Sequence, residues 1–115
     1  LSIKLKRIYE EPAKSDGTRI LVDRLWPRGI SKEKAKLDHW LKELGPTNDL
    51  RKSFHSGDLS FNQFKEKYTE ELNSGEQREV LEILKKIAKE EVEITLLFAA
   101  KDENENQAVI LKEFL

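Results

Sequence analysis

The run VEITLLFAA, residues 92–100, limits the folds open to this chain more than any other segment. It is almost continuously apolar, contains β-branched residues and falls far short of the roughly 20 residues of a membrane span. Such a run is expected as a strand buried on both faces, and therefore central in a sheet covered on two sides. A second apolar run, Ile20-Leu21-Val22, follows the turn residues Asp16-Gly17 and ends abruptly in charge, tryptophan and proline, RILVDRLWPRG at 19–29. An opening strand is expected where Ile3, Leu5 and the stem of Arg7 alternate with Lys4, Lys6 and Ile8, with Pro12 and Ser15-Asp16-Gly17 turning the chain into the second.

Helical patterns fill the space between the second strand and the long apolar run. Over residues 31–44, Leu37, Trp40, Leu41 and Leu44 fall at i, i+3, i+4 and i+7, with Ser31 as N-cap and Gly45-Pro46 as the stop, which predicts one helix. A short helical piece over 48–54 places Leu50 and Phe54 one turn apart, before the loop His55-Ser56-Gly57-Asp58. Ser60 and Gln63 form a capping-box pair ahead of Phe61, Phe64, Tyr68 and Leu72. Ser74 and Gln77 repeat that spacing ahead of Val80, Leu81, Leu84, Ile87 and Ala88. Asp102, three residues before Glu105, heads a last helix carrying Ala108, Leu111, Phe114 and Leu115. The expected order is β-β-α-α-α-α-β-α. Long helical crossovers favour parallel pairing, so the fold class is α/β: a small, open, mainly parallel sheet of about 3–4 strands with helices on both faces.

Composition decides several function classes. With 115 residues the chain is expected to be one domain, 1–115, and its 37% hydrophobic residues are gathered into periodic runs, so the equal 37% of charged residues does not imply disorder. Lys plus Arg number 21 against 22 Asp plus Glu, a formal charge of −1, so no global field draws the protein onto nucleic acid or an anionic membrane. The absence of cysteine excludes disulfides, thiolate nucleophiles and thiolate metal sites. LSIKLKRIYEE has too short an apolar stretch for a signal peptide, and a cytoplasmic location is expected. Because the chain begins at Leu1 without methionine, a few native residues are expected ahead of it.

Open α/β sheets bind ligands outside the carboxyl ends of their strands, against the helices that follow. Two such ends carry polar residues here. The second strand delivers Asp23, Arg24, Pro27, Arg28 and Gly29, and the long strand delivers Lys101, Asp102, Asn104 and Asn106. If the strands are parallel neighbours, the two sets converge. Arginine binds phosphate or carboxylate bidentately, which makes the combination an anion site, with Asp23 orienting an arginine or acting as a base. Arg51 and His55, four residues apart, add a cation and an imidazole from one helical face. The competing readings are structural: an Asp-Arg pair is often a local ion pair, Pro27-Arg28-Gly29 is often only a turn, and Trp26 is more often a core lid than a stacking platform. Trp40 shares helical phase with Leu37 and Leu44 and reads as core, and His39 beside it as structural. Neither a P-loop nor a dinucleotide fingerprint is present, so no cofactor is implied; two distant histidines make zinc a poor fit, and carboxylate-held Mg²⁺ through Asp23 or Asp102 is the one metal alternative left open.

These segments resemble the YeaO-like family of small uncharacterised prokaryotic proteins, within domain of unknown function 488. The resemblance spans nearly the whole chain. It rests on SDGTRILVDRLWPRG at 15–29, Trp40, Pro46 followed by a hydroxyl residue, LRKSFH at 50–55, the pattern F-x-x-x-Y-x-x-EL at 64–72, and TLLFAAKD with Asn106-x-Ala108. Arg19, Asp23, Arg24, Arg28, Arg51, His55, Lys101, Asp102 and Asn106 fall inside those motifs and form the candidate site. Asp23 and His55 are the candidates for proton transfer and the others for ligand binding. The sequence departs from the family at Gln107, where histidine often follows the asparagine, and at Thr47, where serine is usual, so no histidine mechanism is available at 107. The leading expectation is a binding domain or enzyme for a small phosphate- or carboxylate-bearing molecule. The alternatives are a nucleic-acid-associated module, in which the arginines contact phosphates and Trp26 stacks on a base, and a non-enzymatic interaction domain.

Overall fold

In the computed structural model, which describes residues 2–115, four strands form one parallel sheet in the order β1-β4-β2-β3. They are β1 (Ser2–Arg7), β2 (Thr18–Leu21), β3 (His39–Trp40) and β4 (Glu93–Phe98). The run expected to be central is central: β4 pairs with β1 through Ile3↔Ile94 and Leu5↔Leu96, and with β2 through Ile20↔Leu96 and Leu21↔Leu97. Ile94, Leu96, Leu97 and Phe98 are all buried, as a strand with neighbours on both edges and layers on both faces requires.

Alternation along the strands divides the core. Ile20, Val22, Ile94, Leu96 and Phe98 face the helical layer of α2 (Asn48–His55), α3 (Phe61–Leu72), α4 (Gly75–Glu90) and α5 (Gln107–Glu113), meeting Leu50, Phe64, Tyr68, Leu72, Leu84 and Leu111. Leu21 and Leu97 face the opposite side, under Ile8, the short α1 (Lys32–Ala35) and the half-buried Trp26, Ile30 and Leu37. A buried polar cluster also sits on that side. Asp16 accepts from Arg19 Nη1 at 2.5 Å and Lys6 Nζ at 3.1 Å, and its carbonyl accepts from Thr95 Oγ1 at 2.6 Å.

Three local expectations are corrected. The helix expected over 31–44 ends at Ala35, although Ser31 caps it as expected, accepting from Lys34 N–H. Lys36 then takes a left-handed conformation, φ 46°, and residues 38–41 line up along β2 instead. Asp38 N–H donates to Arg19 O, Asp38 Oδ2 accepts from Arg19 N–H, and Leu41 N–H donates to Leu21 O. The open edge of β2 supplies unpaired backbone groups, and satisfying them outweighs the helical period of the side chains. Trp40 is consequently on β3 and exposed rather than in the core, and His39 is exposed beside it. Second, Ser60 and Gln63 form the capping box, but Ser74 caps α4 with backbone alone, because Gln77 Nε2 donates to Gly45 O and Glu71 Oε1. Third, the last helix starts after Asn106, whose Oδ1 accepts from Val109 N–H, while Asp102 Oδ1 closes the preceding turn on the N–H groups of Asn104 and Glu105.

Candidate functional site

The chain leaves β2 at Asp23 and β4 at Ala99, and both exits lie at the same end of the sheet because the two strands are parallel. Segments 23–28 and 99–107 diverge there, and the C-terminal half of α2 approaches the gap. A cleft of about 590 Å³ results, lined by Asp23, Arg24, Arg28, Arg51, His55, Lys101, Asp102, Asn106 and Gln107, with Leu25, Trp26, Pro27, Phe54 and Phe64 among its apolar walls. Eight of the nine residues expected in the site therefore meet in one cavity. The ninth, Arg19, does not: it lies under α1, its Nε and Nη2 donating to Ala35 O and its Nη1 to Asp16, which makes it a structural clamp.

Asp23 is the floor of the cleft. Its Oδ2 accepts from Ala99 N–H at 2.9 Å and its Oδ1 accepts from the side-chain amide of Gln107, so one carboxylate ties the end of β2 to β4 and to the start of α5. Burial pushes its pKa up from 3.8 to about 6, against the lowering effect of those two donors and of the Arg51 charge. The Trp40 indole N–H holds the Asp23 carbonyl at 2.8 Å.

The cations differ in their freedom to meet a ligand. Arg24 is largely committed, with Nε donating to Pro46 O at 3.0 Å and Nη2 to Gly45 O at 2.8 Å, so it clamps the segment before α2. That segment is packed tightly: a Cβ at Gly45 would lie 2.6 Å from Arg24 N. Arg28 and Lys101 are exposed at the rim, and neither side chain makes a hydrogen bond or ion pair among the described residues. Arg51 is half-buried. Its Nη2 reaches Asn48 Oδ1 at 3.4 Å, and its Nε is the one buried side-chain polar atom among the described residues that has no partner. His55 lies exposed one turn further along α2, its ring edge-on to Phe54. Asn106 is buried and spent on helix capping and on the Asp102 carbonyl, so it shapes the wall rather than presenting a hydrogen-bonding group.

Of the apolar walls, Trp26 and Pro27 lie in the segment expected at the site, whereas Phe54 and Phe64 are outside the expected set. Trp26 is fixed by its indole N–H to Ile30 O at 2.7 Å and by an edge contact with Trp40 at 5.2 Å. Phe54 stacks on Phe64 at 4.3 Å, and Phe64 on Tyr68 at 5.7 Å. Tyr68 is anchored in turn by its hydroxyl donating to Leu44 O at 2.5 Å, and burial keeps that hydroxyl protonated by pushing its pKa well above 10. Gln107 was also outside the expected set. Its contact with Asp23 spans 84 positions, and its one sequence signal was the departure from the family's usual histidine. Among the described residues, no group of three His, Asp or Glu side chains is placed to hold a metal ion, and no helix is long and apolar enough to cross a membrane.

A small parallel α/β sheet with a cleft of charged and aromatic side chains at its carboxyl edge is the class of domain defined by this geometry. The family model described as "Inactive DUF488-N3 subclade" matches residues 2–115, and the chain belongs to that family. It is 44% identical over 115 residues to the uncharacterised protein YeaO of Escherichia coli K12, covering 100% of this chain and 97% of the relative. It is 32% identical over 113 residues to an uncharacterised protein of Mycobacterium tuberculosis, covering 98% of this chain and 92% of the relative, and equally to one of Mycobacterium bovis. The YeaO-like resemblance read from the motifs is thus shown. No solved structure matches the chain.

Proposed function

We propose that the cleft binds a small molecule bearing a phosphate or carboxylate, without turning it over. The observation that carries this reading is Arg51: a guanidinium donor buried beside the cleft with no protein acceptor, where Arg28 and Lys101 also bring cations that no internal partner occupies. A buried donor left unpaired costs about 1–3 kcal/mol, and the uncompensated guanidinium charge it belongs to favours an anion in the cleft. Of the three acids lining the cleft, Asp23 and Asp102 are engaged by internal hydrogen bonds, and Glu105 is exposed to solvent, where its charge is screened. The description of the subclade as inactive favours binding without turnover.

Thermal unfolding in graded sulfate, phosphate and small carboxylates tests the proposal. At 100 times Kd a bound anion adds about 2.7 kcal/mol, a readily measured rise in Tm. Arg51→Met should abolish the saturable part of that rise while leaving the anion-free protein folded, because it also removes the orphaned donor. Stabilisation by none of these anions, or an unchanged response in Arg51→Met, would overturn the reading.

A further inference from the structure

We infer that the molecule filling this cleft is bipartite, an aromatic ring carrying the phosphate or carboxylate group; the inference rests on the anion-binding reading above. Its basis is the contrast between the cleft's size and walls and the needs of a bare anion. A volume of about 590 Å³ is far more than a phosphate or acetate occupies and lies within the range of pockets for ring-bearing ligands. Trp26 and Phe54 also line the cleft, the one from the loop after β2 and the other from α2. Both rings are held still, Trp26 by its bond to Ile30 O and its edge contact with Trp40, Phe54 by its stack on Phe64. Fixed aromatic faces offer stacking without the entropic cost of ordering a side chain on binding, and they favour a flat ring over an aliphatic body.

The geometry also couples the two halves. Arg51 and Phe54 lie three residues apart on α2, on adjacent turns of one face, so a cation and an aromatic wall are presented in fixed register. A ring with its acidic group attached directly or through one sugar-sized linker spans that pair. Leu25, exposed and also lining the cleft, extends the apolar surface on the Trp26 side.

Titration of the intact chain with inorganic phosphate, glycerol phosphate, phenyl phosphate, benzoate, adenosine and adenosine monophosphate, followed by calorimetry and tryptophan emission, tests this. Ring-bearing anions are expected to bind on the order of tenfold tighter than glycerol phosphate, which is the scale of one base–aromatic stack, and to quench Trp26. The relative strengths of phenyl phosphate and benzoate tell which head group the cations prefer. Phe54→Leu should lower the preference for adenosine monophosphate over glycerol phosphate, a ratio that general loss of stability does not change. Trp26→Leu gives an independent check on the second wall. Equal affinity for glycerol phosphate and the ring-bearing anions would overturn the inference and leave the anion site standing. Adenosine binding as tightly as its monophosphate would overturn the anion reading beneath it, and no binding by any of the series would overturn both.

Discussion

A carboxyl group that burial has pushed to about 6 is strained toward protonation at neutral pH, and Asp23 is held in that state by the fold around it. Its unfolded value is near 3.8, so between those two values the folded protein binds more protons than the unfolded chain, and stability falls as pH rises through that window. Above about pH 6 the penalty is fully present and amounts to about 3 kcal/mol. Asp23→Asn should therefore raise stability at pH 8 by about 1–2 kcal/mol, with Asn Oδ1 still accepting from Ala99 N–H and the Gln107 amide turned to accept in its place. Urea unfolding at pH 5 and pH 8 checks this; a variant less stable than wild type at pH 8 would show that the charge itself holds the structure. The same substitution bears on binding. Affinity for sulfate, which does not titrate in this range, should increase from pH 7.5 to 5.5 in wild type, and the slope should be shallower in Asp23→Asn. Asp23 and Arg28 were legible from sequence because a charge cluster at the end of an apolar strand has no place in a core. Gln107 was not, since no local pattern foretells a partner 84 positions away.

At the scale of elements, the cleft depends on one irregular stretch, residues 36–47, whose part up to Leu44 was expected to continue the helix over 31–44 and does not. Its side chains keep helical spacing, but its backbone follows β2 for two residues, makes a tight turn at 42–44, and then passes so close to Arg24 that only glycine fits at 45. Periodicity reports which side chains want burial; it does not report that a neighbouring strand edge lacks partners. By contrast α3 was readable end to end, because Ser60, Gln63 and the Phe64-Tyr68-Leu72 stripe are local signals that the tertiary structure reinforces. Gly45→Ala should cost about 2–3 kcal/mol through overpacking against the Arg24 backbone. It should also weaken anion binding, because Arg24 and the start of α2 would both shift. Equilibrium unfolding with and without sulfate measures both effects, and a loss of stability with unchanged sulfate affinity would show that the segment and the cleft are independent.

Over the whole molecule, the sheet separates two carboxyl groups, Asp16 buried and Asp23 half-buried, with opposite electrostatic fates. Asp23 is raised by burial at the carboxyl edge of the strands. On the face under α1, burial also pushes Asp16 upward, but Ala13 N–H, Lys6 and Arg19 outweigh it and hold its pKa below 3.8. The signs follow. Asp16 contributes stability that is complete above its unfolded value and is lost as pH falls through its lower folded value, whereas Asp23 withdraws stability as pH rises toward about 6. Together they place the stability maximum on the mildly acidic side, between those two transitions. Denaturant unfolding of the wild type from pH 3 to 8 should show that shape, and each variant should remove one limb. Asp16→Asn should cost about 3 kcal/mol at neutral pH, because Arg19 then lacks its counter-charge in a buried site, and it should flatten the acid limb while leaving the Asp23 limb intact. If Asp16→Asn retains the wild-type acid limb, the Asp16, Lys6 and Arg19 cluster is not what limits stability at low pH.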